Sequence, residues 1–400
     1  MTQAAASAEK PPRLKLTAIE RKASIMLALL FASRMLGLFL LTPVFAVAAQ
    51  AIPGGNDATR VGLALGAYGL TQAVMQIPLG MASDKYGRRA VIVFGMVLFV
   101  VGGVICALAS NVDWIIVGRT LQGLGAVSAA ITAWVADATR PEVRTRAMAM
   151  VGASIGLSFA VSLVLSPLLV GSFGLSGLFW AISLLGFICL LIAAFAVPVV
   201  PRQKEDIIQA RARDVLGHVD LLRLNFGVFV LHFVLMALFI VMPGMLAKLG
   251  GYDTGSLWKV YLPVIALSFV AMVPAVFHTE TRRRHKRALE ASVLGMAVVL
   301  ALMPLFSQSF AGIFTLLVLF FVAFNILEAL QPSLVSRVAP PAFKGLALGF
   351  YNTSQSLGVF MGGVAGGVLA SRAQGELVFW LAAVLAGVWL LAARGMRQPV

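Results

Sequence analysis

Charge is what this chain has least of. Only 12% of its 400 residues are charged, and Asp and Glu together number 16; soluble proteins carry about a quarter. So little polar surface cannot coat an aqueous core, which excludes an ordinary water-soluble globule. Cysteine is nearly missing too. Cys106 and Cys189 both fall inside apolar runs, where they read as small packing residues and not as a disulfide or metal pair. With four histidines and no ligand-like spacing, neither a metal centre nor a cofactor is expected. A phosphate loop is missing, as is any nucleophile with a base suitably placed, so an enzyme is not expected.

What fills the chain is hydrophobic sequence, 60% of it, in runs long enough to cross a ~30 Å hydrocarbon layer as helices. Twelve spans are predicted, at 22–49, 59–81, 90–110, 114–136, 146–169, 176–197, 223–246, 257–277, 287–306, 310–336, 345–370 and 376–393. The first run is too long for a signal-peptide core and lacks a small-residue cleavage site, so it is expected to be retained. The fold class is thus an all-α, multi-pass membrane protein. Its net charge of +15 raises the question of nucleic acid, but the distribution answers it. Apart from Arg34, Arg60, Arg119, Lys248, Lys259 and Arg372, every Lys and Arg falls on the side of the two termini. That is the positive-inside pattern, which predicts cytoplasmic termini and needs no nucleic-acid partner.

The chain also repeats itself at an offset of about two hundred residues. Phe179-Trp180 recurs as Phe379-Trp380, Pro43 as Pro243 and Pro141 as Pro341, and RPEVRTRAMAM (140–150) is similar to PPAFKGLALGF (340–350). An offset of six spans keeps the halves in the same orientation, a parallel pseudo-repeat of two six-helix bundles. The predicted organisation is a terminal segment at 1–21, bundles at 22–197 and 223–400, and a hydrophilic linker at 198–222. The linker either lies on the membrane surface or is a solvated connector. The Ala-, Pro- and Lys-rich start is expected to be disordered.

One loop breaks the scarcity of charge. GMASDKYGRRAVI (80–92) holds Asp84, Lys85, Arg88 and Arg89 between two apolar spans. It resembles the loop signature of the major facilitator superfamily at Gly80, Asp84, Gly87, Arg88 and Arg89. Arg119-Thr-Leu-Gln122-Gly123-Leu-Gly125 resembles that family's second signature. FASRMLGLFLLTPV (31–44), YGLTQAVMQIPLG (68–80), WKVYL (258–262) and FFVAFNILEALQPSL (320–334) are similar to proton-driven efflux members of the family. The resemblance implies twelve helices in two bundles, alternating access, a bacterial inner-membrane location and a monomer whose partners are protons, a small solute and lipid. An efflux member it resembles carries an additional soluble C-terminal domain, which this chain, stopping at Val400, is expected to lack. Span five departs from the antiporter pattern. It reads Ser162-Leu-Val-Leu-Ser166-Pro167-Leu-Leu-Val-Gly171 and loses three glycines, although close helix packing survives the exchange.

Position in the loop suggests roles. Gly87 permits the tight reversal, and Arg88 can pair with Asp137 at the end of span four. Asp84 suits a helix N-terminus, which the resemblance implies is the start of span eleven. Together Gly80, Asp84, Gly87, Arg88, Arg89 and Asp137 read as a conformational latch; the plainer alternative is that the charges only set topology.

Ionisable groups within spans are costly and mark function by default. Glu328 is the sole acid deep in a span, and Arg34 and His232 are the other candidates for proton coupling, with Arg34 expected to face Glu328 across a central cavity. His232 could equally be a hydrogen-bonded core histidine. Tyr68, Gln72 and Gln76 on span two, Arg119 on span four, Asn325 and Gln331 on span ten, and Asn352 and Gln355 on span eleven are expected either to line that cavity or to bond helix to helix. The resulting expectation is a proton-coupled efflux transporter of a small amphipathic or polar solute. An uncoupled facilitator and a non-transporting membrane sensor are the alternatives.

Overall fold

The computed structural model describes residues 16–198, 212–282, 284–340, 344–372 and 375–397, without the side chains of 141, 142, 145, 146, 149, 153 and 280. Most of the expected disordered start, much of the linker and Pro341 therefore lie outside the described residues. The helices are α1 (Ala18–Phe39), α2 (Phe45–Ala48), α3 (Ala58–Tyr86), α4 (Arg88–Ala107), α5 (Val112–Leu124), α6 (Ser128–Asp137), α7 (Pro141–Leu191), α8 (Ala212–Leu216), α9 (Val219–Gly250), α10 (Trp258–Arg282), α11 (His285–Leu302), α12 (Phe310–Val338), α13 (Lys344–Ser371) and α14 (Gly375–Arg394). No strand occurs among the described residues.

Nine helical segments among them are long and apolar enough to cross a membrane. One, Met150–Ala196, reverses at Gly174, whose φ of +67° only glycine adopts without strain. Dividing it there and adding the more polar α3 and α13 gives the twelve spans. Their starts follow from side chains that satisfy the first free N–H groups. Thr17 and Glu20 form a capping box on α1, while Asp57, Asn111 and Ser309 cap α3, α5 and α12.

Two predicted spans are less regular than their hydropathy suggests. Span one leaves the helix at Phe39, ahead of Pro43, and reaches Ala51 through α2 and a short 3-10 turn. A proline there cannot continue the ladder. Span four splits into α5 and α6, because Gly125 and Val127 leave helical geometry. The repeat is visible in burial: Phe179 and Phe379 are both fully enclosed, while Trp180 and Trp380 are both exposed. The prolines differ, since Pro43 follows the end of α1 whereas Pro243 sits inside α9.

Each bundle has its own core. Leu27, Phe31, Met96, Phe99, Ile131 and Phe179 fill the first, and Leu231, Phe239, Met296, Phe320, Phe379 and Trp389 the second. Lipid offers no hydrophobic incentive for helices to associate, so cohesion depends on how closely backbones approach. The bundles meet through α3 and α13 in just that way. A Cβ on Gly363 would come within 2.7 Å of the Gly62 carbonyl oxygen, one on Gly66 within 2.8 Å of the Phe360 carbonyl, and one on Gly69 within 2.6 Å of the Ser356 carbonyl. A Cβ on Gly171 of α7 would come within 2.8 Å of Gly255 Cα, before α10.

These contacts lie toward the face opposite the termini, here called the far face. Nearby, Tyr261 donates to the Pro43 carbonyl at 3.2 Å. Phe159 packs on Phe39 of its own bundle and on Phe321 and Phe324 of the other, with centroids 5.2, 5.8 and 5.8 Å away. Toward the terminal face, Gly152 and Gly156 of α7 and Gly345 and Gly349 of α13 have nothing within 4 Å of a Cβ position. The bundles are joined at the far face and apart at the terminal face.

Gly363→Val is therefore expected to push α3 off α13 and loosen far-face closure. Overpacking of this kind costs about 1–3 kcal/mol. Spin labels at Leu108 and Leu305, each 70% exposed at the far face of its bundle, should report a longer mean separation. An unchanged separation would show that the seam does not hold the far face shut.

Candidate functional site

The loop at 86–90 turns on Gly87, which adopts φ +93° between α3 and α4. That turn delivers Arg88 to three oxygens. Its Nε lies 2.9 Å from Asp137 Oδ2 at the end of α6, its Nη2 2.7 Å from Asp84, and its Nη1 donates to Ser83 Oγ at 2.7 Å. Arg89 Nη2 donates to the Val197 carbonyl at 2.6 Å, and its guanidinium lies 5.8 Å from the Trp134 ring. Gly80 faces α6, where a Cβ would meet Ala129 at an ordinary contact distance of 3.5 Å. At the same face Glu20 of α1 grips Arg140 at the head of α7, with Nε to Oε1 at 2.8 Å. Docking of Asp84 on the start of span eleven involves residues 341–343, which lie outside the described residues.

Inside the first bundle the polar groups converge on Tyr68. Arg34, fully enclosed, donates from Nη2 to the Tyr68 hydroxyl and from Nη1 to Ser128 Oγ, both at 2.6 Å. Arg119 is as deeply buried; its guanidinium carbon stands 4.6 Å from the centre of the same ring, and its Nη1 donates to Gln122 Oε1 at 3.0 Å. Gln72 and Gln76 are also buried, and neither polar atom of the Gln76 amide has a partner. Tyr68, Gln72, Gln76 and Arg119, expected either along a cavity or bonding helix to helix, are packed inside the bundle in this state.

In the second bundle α9, α12 and α13 bring His232, Glu328 and Gln355 together. His232 Nδ1 faces the Val228 carbonyl at 3.1 Å, so that nitrogen carries a proton. The neutral ring then offers Nε2 as acceptor to the Gln355 amide nitrogen at 2.6 Å. Glu328 Oε2 is 3.6 Å from the same Nε2. Glu328 keeps 24% of its side chain exposed, although Oε2 itself is buried without a hydrogen-bond partner. The buried hydroxyl of Tyr351, on α13, also lacks one. Asn352 and Gln355 are partly exposed.

Two expectations are corrected. Arg34 does not face Glu328: it turns back into its own bundle, where the break before α6 exposes Ser128 as an acceptor, and the acid is met by His232 instead. Nor do Asn325 and Gln331 line one cavity with Glu328, and of the two readings offered for these amides Asn325 takes the helix-to-helix one. Asn325 donates to Ser268 of α10 at 3.1 Å. The Gln331 side chain goes to the α9 and α14 side, where its Oε1 is 3.0 Å and Trp389 Nε1 2.6 Å from a Cβ position on Gly227. Three-residue spacing turns a helix by about 60° per step, enough to spread the three side chains over different neighbours. Ser128, Ser268 and Tyr351 were missed, the first although Gly123 and Gly125 signalled a break.

The cysteines are free and buried, each with its sulfur near a backbone carbonyl, Cys106 at Ile115 and Cys189 at Leu30. No cluster of potential metal ligands occurs among the described residues.

The architecture is similar to that of solved transporters. A bacterial homologue of the human lysosomal transporter Spinster, in an inward-facing and occupied conformation, superposes with a TM-score of 0.76 over 96% of this chain and 98% of its own, at 14% identity. A D-xylose-proton symporter gives a TM-score of 0.76 over 94% and 98%, at 15% identity. Among relatives by sequence, the inner membrane transport protein YajR of Escherichia coli (strain K12) is 41% identical over 390 residues, 96% of this chain and 85% of that protein. Multidrug resistance protein MdtH of Aeromonas salmonicida (strain A449) is 28% identical over 340 residues, 82% of each chain. The model of the Major Facilitator Superfamily matches residues 27–363 and 280–399. Twelve helices in two parallel bundles, sealed on one face and parted on the other, are what that match leads one to expect: the chain belongs to the major facilitator superfamily of multi-pass membrane transporters.

Proposed function

We propose that the protein exports a small amphipathic or polar organic solute from the bacterial cytoplasm by alternating access, driven by protons. The excess of Lys and Arg at the terminal face makes that face cytoplasmic, so the present state is inward-open. The similarity to a multidrug resistance protein supports efflux.

The observation that carries proton coupling is the Glu328–His232 pair. A carboxylate and an imidazole 3.6 Å apart, one partly exposed and the other buried, can share one proton between them. Protonated, the pair is neutral acid beside neutral ring, or carboxylate beside imidazolium. Deprotonated, it is a bare carboxylate beside a neutral ring that accepts from Gln355. Closing one face and opening the other changes the side of the membrane with which the pair can exchange that proton. One proton crossing about 100 mV releases about 2.3 kcal/mol, enough for roughly fifty-fold accumulation.

Glu328→Gln keeps shape and hydrogen bonding but removes titration. In proteoliposomes with an imposed pH gradient, loaded with labelled amphipathic carboxylates, amines and neutral solutes, it is expected to abolish accumulation above equilibrium. Accumulation matching the wild type between about pH 6 and 8 would remove Glu328 from the coupling role.

The loop supplies the second part of the reading. Arg88 gathers Asp84 and Asp137 at the loop, and in the outward-open state Asp84 on the N-terminus of α13 would latch the cytoplasmic side. A carboxylate there is worth about 0.3–1 kcal/mol when exposed and up to ~2 when partly buried. Asp84→Asn is therefore expected to shift the population toward inward-open by about two- to thirty-fold. Spin labels at Ile19 and Val219, on the terminal ends of the two bundles, should gain weight at the longer distance. No gain would sink the latch.

A further inference from the structure

The first bundle holds two cations that no acid answers among the described residues. Arg34 and Arg119 are 0% and 1% exposed, and the groups that meet their guanidiniums are Ser128, Tyr68 and Gln122, all neutral. Glu328, the acid deep in a span, stands in the other bundle beside His232. Burying one cation away from water is expensive and burying two side by side more so, unless counter-charge reaches them.

The unmet hydrogen bonds have the same bias. Nε of Arg34, Nε of Arg119, Nε2 of Gln122 and Nε2 of Gln76 are buried donors without a partner, against one acceptor, Oε1 of Gln76. Tyr68 touches both guanidiniums: its hydroxyl accepts from Arg34, leaving its own proton free to donate, and its ring meets Arg119. A donor-rich, doubly cationic cluster selects an oxyanion, and guanidinium groups bind carboxylates and related groups in the bidentate manner. Ser128 follows directly on the helix break at Gly125–Val127, so its hydroxyl is held by a segment that can yield when an anion takes its place on Arg34.

We propose that Arg34, Tyr68 and Arg119 form the binding subsite for the anionic group of the solute, a carboxylate or sulfonate on an organic body. The inference rests on the transport reading above and narrows its substrate class. The solute's body then extends toward the second bundle, where the proton-carrying pair stands, so that the two bundles divide the work into anion capture and proton exchange.

The test uses equilibrium binding to the purified full chain in detergent, where no gradient exists. Thermal unfolding is followed with 4-phenylbutyrate, 4-phenylbutanesulfonate, the neutral 4-phenylbutyramide, the cationic 4-phenylbutylamine, chloride and inorganic phosphate. The two organic anions are expected to raise the midpoint saturably, and the amide and amine to leave it unchanged. Arg119→Gln and Arg34→Gln should each weaken the anion response about ten- to a hundredfold, while Arg60→Gln, whose side chain is exposed at the far face beside Asp57 and Asp113, should retain it. Should an arginine variant fail to fold, Tyr68→Phe decides: it keeps the ring beneath Arg119 but loses the hydroxyl, and the anion response should weaken severalfold.

Stabilisation by the amide or amine equal to that by the anions would overturn the proposal, as would no response to either organic anion, or an undiminished response in Tyr68→Phe. A response to chloride or phosphate alone would reduce the subsite to an inorganic-anion site and overturn the solute assignment. Because binding needs no gradient, a wild type that binds the anions but shows no proton-driven flux refutes the coupling and leaves the subsite standing. Proton-driven flux of amines with no anion response refutes the subsite alone.

Discussion

The bundles touch where α3 and α13 lie with Gly62 and Gly363 backbone against backbone, and the remaining geometry follows from how little room that leaves. Helices in lipid gain nothing from hiding apolar surface from one another, so an interface has to be made from closeness. The seam at Gly62, Gly66 and Gly69 supplies it toward the far face. Further along both helices the partner atoms fall away, and the bundles part. A seam of this kind acts as a pivot: it fixes one region of contact and leaves the two bodies free to tilt about it. The named ties at the terminal face stay within a bundle, Glu20 with Arg140 and Arg88 with Asp137 in the first, Lys286 with the Arg394 carbonyl in the second. Each half is braced internally and hinged externally, which is what rocking between two states demands.

The buried polar groups divide along the same line. The first bundle gathers cations around Tyr68, and the second gathers a carboxylate and an imidazole around Gln355. Neither set neutralises the other in this state. A bilayer makes such an arrangement costly, and that cost is the starting point of both proposals above.

The legible parts of this molecule were those in which neighbours in sequence become neighbours in space, or in which lipid forces the issue. Span number, the repeat and the turn at Gly87 are of that kind, and the Arg88–Asp137 pair joins two ends that emerge on the same side of the membrane. What resisted reading was direction. Arg34 has a long side chain that reaches either across the cavity or back into its bundle, and the outcome depends on Ser128, an acceptor created by a helix break. Asn325, Glu328 and Gln331 share a spacing but not a partner, because Ser268, His232 and the neighbourhood of Trp389 lie on different sides of α12. Hydropathy likewise drew span one through to residue 49 without registering that the helix gives way before Pro43.

The relative polarity of α3 and α13 has a bearing on how the protein is held in the membrane. These two fall outside the segments apolar enough to hold the bilayer by composition, owing to the glycines that form the seam and to the amides the same helices carry. A segment of that kind partitions weakly on its own. In the folded molecule α3 is held chiefly by α13 and α5, and α13 by α3 and α9. The seam that lets the two bundles tilt is thus built from the helices that hold the bilayer least by themselves, and each of them leans on the opposite half.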